Sequence, residues 1–84
     1  MLVDILLKNG YLIEVAFIEK IQDDGRLNII FCPSSGPSRK TVITVDKIAQ
    51  IIDIDGNEYK NWEEITTFLV NYDSENNNHP QSSF

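Results

Sequence analysis

The chain has 84 residues, 42% of them hydrophobic and 24% charged, and a formal net charge of -6. A chain of this size makes one domain that buries roughly 60–65% of the surface it exposes when unfolded, and its composition is globular rather than disordered. One cysteine and one histidine exclude an intrachain disulfide and a Cys/His zinc site and point to the reducing cytoplasm, while no apolar run is long enough for a signal peptide or a membrane span.

The expected domain covers residues 1–72. Its first segment, LVDILLKNGYLIEVAFIEKI, places apolar and β-branched runs on both sides of Asn9-Gly10. Asn-Gly supplies the two positive-φ residues of a type I′ turn, so strands are expected at 2–8 and 11–21. Pairing outward from that turn sets Leu7 against Leu12, Ile5 against Glu14 and Val3 against Ala16, and loads Leu6, Ile13, Val15 and Phe17 on the other face. Neither face is purely polar, which suits long strands that bend and change sides in a small barrel. A turn at Asp23-Asp24-Gly25 then leads to a third strand at 27–32.

The stretch FCPSSGPSRK follows, with the only cysteine at its start and Arg39 and Lys40 at its end. A cysteine-dependent phosphate loop separates thiolate and Arg by five residues, whereas six separate Cys32 from Arg39, and Pro33 and Pro37 remove backbone donors from the cradle. The segment therefore reads as a connector with an inert, partly buried thiol, and Arg39 and Lys40 as partner-contact residues. KTVITV is β-branched at five of its six positions, which predicts a fourth strand at 40–45. Ile48 and Ile51 are three apart, the spacing of one tight helical turn, before a fifth strand at 50–54 and a turn at Asp55-Gly56.

Asn61 with Glu64 three residues on forms a capping box, and Trp62, Ile65, Phe68, Leu69 and Tyr72 fall on one helical stripe, so a helix is expected at 61–71. Residues 73–84 are polar, Asn-rich and aperiodic and are expected to be a disordered tail, with His79 in it facing no partner. The acid pairs Asp23-Asp24 and Glu63-Glu64 read as solvating or helix-dipole-complementing groups. In DIDGNEYKNWEE, Asp53, Asp55, Asn57 and Glu64 occupy positions one, three, five and twelve of a calcium loop, with Glu58 where that loop needs Gly. The competing reading is an Asp-Gly turn followed by a capped helix.

The stretches VDILLKNGYLIEVAFIEKIQDDGRLNIIF, with Asp24 four residues before Asn28, and VITVDKIAQI resemble the two motifs of Sm-like proteins and, in outline, SH3-like barrels. That resemblance implies a strongly bent five-stranded antiparallel barrel, assembly into rings through edge strands, and binding of uridine-rich single-stranded RNA at the pore. It makes Asn28 the RNA-contacting Asn, with Arg26 beside it. Thr44-Val45 stand where the family has Arg-Gly, Val15-Ala16 where it has the Gly that bends the second strand, and the helix follows the sheet instead of preceding it.

Residues 1–45 hold five acids and five bases, and residues 46–84 eight acids and two bases. A surface so acidic disfavours phosphate-backbone binding and favours a basic protein partner. No convergent acid, base and nucleophile can be assembled, so no catalytic residue, cofactor or metal is expected. The expected function is that of a non-enzymatic, self-associating interaction module, a regulator or inhibitor working through a sheet edge or its acidic surface. Arg39, Lys40 and Trp62 are its contact residues, and the alternative is an RNA-binding ring subunit using Asn28 and Arg26.

Overall fold

The computed structural model describes residues 2–33 and 36–78, the last six as backbone only. Six strands form one antiparallel sheet: β1 (Leu2–Leu7), β2 (Leu12–Ile21), β3 (Arg26–Phe31), β4 (Arg39–Thr44), β5 (Ile48–Asp53) and β6 (Glu58–Tyr59), in the order β4-β3-β2-β1-β5-β6. A 3₁₀ turn, Val45–Lys47, joins β4 to β5, and one helix, α1 (Trp62–Asn78), follows β6.

The first hairpin differs from expectation at its turn. Only Gly10 of the Asn-Gly pair has positive φ, at 93°, so the turn is a type I turn closed by a left-handed glycine rather than type I′. The Gly10 N–H donates to the Leu7 carbonyl at 2.9 Å, and the Leu7 N–H to the Tyr11 carbonyl at 2.9 Å. The same pair of bonds recurs from Gln22 to Arg26 and from Asp53 to Asn57. Beside the first turn the register is consequently Leu6 with Leu12 and Ile5 with Ile13, one residue away from the expected pairing. It returns to Val3 with Ala16 because Glu14 and Val15 together oppose Asp4, a β-bulge. Ile13 thereby joins Val3, Ile5 and Ala16 in the core, while Leu12, Val15 and Phe17 are exposed.

A second irregularity, in β5, accounts for the Ile48 and Ile51 spacing. Leu6 pairs with Gln50 and Leu7 with Ile48, so Ala49 is the extra residue. Both isoleucines are buried although they lie three apart, since the bulge reverses the alternation of the strand. The expected helical turn lies earlier, at Val45–Lys47, and the strand begins at Ile48 rather than at 50.

That 3₁₀ turn shows that the sheet is bent. β4 and β5 are four strand spacings apart in the sheet order, about 19 Å if the sheet were flat, whereas three 3₁₀ residues span about 6 Å. The turn is tied to both neighbouring hairpins, by the Val45 N–H to the Gly25 carbonyl at 2.9 Å and the Lys8 N–H to the Lys47 carbonyl at 2.8 Å. Curling stops short of a barrel, however. No ladder joins β4 to β5 or β6 among the described residues, so the expected five-stranded closed sheet is an open six-stranded one. The added strand, β6, pairs Tyr59 with Ile51 and Glu58 with Ile52.

Helix α1 covers the concave face. Ile65, Phe68, Leu69 and Tyr72 are buried against Val3, Ile5, Ile18, Leu27, Ile29 and Ile51, but Trp62, expected on the same stripe, is 59% exposed. Phe68 stacks at a tilt on Tyr59 with ring centroids 4.6 Å apart, and the Tyr72 hydroxyl donates to the Ile18 carbonyl at 3.1 Å. That carbonyl adjoins a register shift between Ile18 and Lys20, where the β2–β3 ladder is interrupted. The helix runs to Asn78 instead of ending at 71, as no Gly or Pro lies between 62 and 78 to stop it. Residues 73–78 of the expected disordered tail are thus helical, and 79–84, with His79, lie outside the described residues. No helix among the described residues is long and apolar enough to cross a membrane.

Candidate interaction site

The residues expected to meet a partner divide between the two ends of the sheet order. Arg39 and Lys40 open β4, which pairs with β3 over six positions from Phe31–Arg39 to Arg26–Thr44 and has no partner on its other side among the described residues. None of its residues is buried, and Val42 is 53% exposed. The Lys40 ammonium lies 3.9 Å from the Glu19 carboxylate with its side chain 75% exposed, a contact too long and too wet to neutralise it. Trp62 stands at the other end, on the first turn of α1 just after β6, and shares no element with the β4 cations.

The residues that RNA binding would use are engaged within the chain. Arg26 donates through Nε to Asp24 Oδ2 at 2.8 Å and through its terminal nitrogen at 2.7 Å. This hydrogen bond is the main cause that holds the Asp24 carboxyl below the usual carboxylate range. Asn28 Oδ1 accepts from Gln22 Nε2 at 2.9 Å.

Around the acidic end, the first and last carboxylates of the calcium-like loop, Asp53 and Glu64, are engaged within the chain. Asp53 Oδ1 accepts from the backbone N–H groups of Asp55 and Asn57, and Oδ2 from the Asn57 amide and the Tyr59 hydroxyl, all within 3.1 Å. Desolvation raises the Asp53 pKa, but the bonds from Asn57, Tyr59 and Asp55 outweigh it and hold the carboxyl low. The same bond to Asp53 pushes the Tyr59 phenol above its ordinary value. Asn61 caps the helix by accepting the Glu64 N–H at 2.8 Å. Glu64 reaches back to the Lys60 N–H at 2.9 Å, one residue before the cap it was expected to serve. Asp53 and Glu64 therefore act in the turn and the cap, and no group of three or more His, Cys, Asp or Glu that could hold a metal occurs among the described residues. Cys32 is exposed, contrary to the expected part burial, because it lies just past β3 where the chain leaves the sheet.

A surface that sequence reasoning did not single out lies on the convex face. Leu2 pairs with Phe17 and Phe17 with Ile30, a row crossing three strands outside the core. Beside it, an open cleft of about 300 Å³ is lined by Leu2, Val3, Asp4, Val15, Ile52, Asp53 and Ile54. Val15 has φ 54°, the left-handed region that a β-branched residue rarely enters, and its N–H donates to Asp4 Oδ1 at 2.9 Å. The available signal was the apolar content of both faces of β1 and β2. No protein-family model, curated protein or solved structure matches this chain.

Proposed function

We propose that this chain is a non-enzymatic interaction module that self-associates head to tail, the β4 edge of one copy meeting the β6 edge of the next. The observation that supports it is the opposite charge of two open edges on one sheet. β4 carries Arg39 and Lys40 and no acid, whereas the β5–β6 turn and the start of α1 carry Asp53, Asp55, Glu58, Glu63 and Glu64 against Lys60 alone. A strand with an unpaired side offers backbone hydrogen bonds to another chain, and complementary charge selects which edge it meets. Pairing of two different edges builds a ring or a filament rather than a two-fold dimer. Trp62, exposed beside the acidic edge, adds apolar contact area.

Light scattering after gel filtration tests this. At low ionic strength the mass should be a multiple of 9.6 kDa, and it should fall toward one copy at about 1 M salt, where the Debye length is about 3 Å. The double variant Arg39→Glu, Lys40→Glu should remain a single copy. A wild-type mass of 9.6 kDa at every salt and protein concentration overturns the proposal. Retention of uridine-rich RNA on a filter at about 50 mM salt, lost in Asn28→Ala, would move the reading to the RNA-binding ring.

A further inference from the structure

We propose that the convex cleft around Val15 is a second docking surface, which takes an amphipathic basic segment of a partner protein. Three observations converge there. The first is conformational: Val15 occupies a bulge position at φ 54°, where glycine would sit without strain, and its side chain is 55% exposed. Core packing does not explain a valine held in that conformation at the surface, and strain of this kind collects where a side chain has work outside the fold. Its N–H is anchored by Asp4, so the strained bulge is built in rather than left slack.

The second observation is apolar exposure. Leu2 is 42%, Phe17 38% and Ile54 73% exposed; Leu2 and Ile54 line the cleft with Val15 and Ile52, and Phe17 pairs with Leu2 beside it. Patches of this kind on a small protein mark interaction sites.

The third is charge. Asp4 lines the cleft and no Lys or Arg does, and Glu14 of the same bulge and Asp55 of the adjoining turn add two more carboxylates. An apolar floor with an acidic rim is complementary to a segment that presents leucine-like side chains flanked by lysine or arginine. Two-fold pairing of this face with itself is disfavoured, since it would bring the same carboxylates together. This surface shares Asp53 and Asp55 with the acidic edge of the proposed assembly but no residue with β4, so the titration is made on the Arg39→Glu, Lys40→Glu variant, in which that assembly should be lost.

The test is a titration, followed by amide NMR, with a synthetic amphipathic Leu/Lys peptide and its Leu/Glu counterpart. The Leu/Lys peptide should shift the amides of Leu2, Asp4, Val15, Ile52 and Ile54 and saturate, and the Leu/Glu peptide should not bind. Val15→Gly should weaken the Leu/Lys peptide about tenfold while raising the melting temperature, which separates loss of contact from loss of fold. Ile54→Ser should weaken it with the backbone unchanged. The proposal is overturned if the peptides bind equally or not at all, or if the shifts fall on the Glu63 and Glu64 side of α1. It is likewise overturned if both cleft variants keep the parent affinity, or if the same amides shift with protein concentration alone, which would assign the face to a second copy.

Discussion

Val15 is the only non-glycine among the described residues with positive φ, and its consequences can be read in stability as well as in binding. A left-handed conformation costs an L-residue about 1–2 kcal/mol, and glycine's greater freedom when unfolded returns about half of that. Val15→Gly should therefore raise the unfolding free energy by about 0.5–1 kcal/mol, seen as a later urea midpoint at unchanged slope. The run Val15-Ala16 gives no sign in the sequence of a bulge, which forms nonetheless around a valine whose N–H is held by Asp4. Asp53 and Asp24, together with Asp46, contribute to the acid limb of stability. All three carboxyls are held below the usual range when folded, so their contribution is complete above the unfolded value near pH 4 and disappears as pH falls through the lower folded values. The melting temperature should accordingly drop on acidification below about pH 4, and less steeply in a variant carrying Asp53→Asn and Asp24→Asn.

At the scale of elements, α1 shows why local signals were readable and lengths were not. Its start is written in Asn61, which accepts a first-turn N–H, and in Glu64, which accepts the Lys60 N–H just before the cap. Asn61→Ala should cost about 1 kcal/mol, measured by chemical denaturation. The stripe of Ile65, Phe68, Leu69 and Tyr72 buries as expected, and Phe68→Ala should cost about 3–5 kcal/mol, a large part of the roughly 5–15 kcal/mol that holds a domain together. The helix end is not encoded in a comparable way, since the polar Asn-rich stretch lacks both a stripe and a breaker. The positions of β1 to β5 were legible within a residue or two because β-branched runs and Gly turns bound them, whereas the two-residue β6 was not expected. The bulges at Val15 and Ala49 were not, as one inserted residue mimics other patterns: at Ile48 and Ile51 it produces the spacing of a helical turn inside a strand.

For the whole molecule, the bent antiparallel sheet followed by a helix was legible, whereas its openness was not. Closure depends on whether two edge strands meet, and no single residue reports that. The uneven charge, by contrast, is a sequence property with a structural outcome, since five of the eight acids of the second half, Asp53, Asp55, Glu58, Glu63 and Glu64, lie at one edge and the β4 cations occupy the other. The order of strands carries a further consequence. β1 lies between β2 and β5, joined to one by a tight turn and to the other only after most of the chain has been laid down. During refolding the β1–β2 hairpin can form within microseconds, but its second flank, LVDILL, stays unoccupied until that distant strand arrives. In the interval a sticky apolar ribbon is open to any neighbouring chain. Recovery from denaturant is therefore governed by a race between ring closure within one molecule and collision between two, and dilution favours the native outcome.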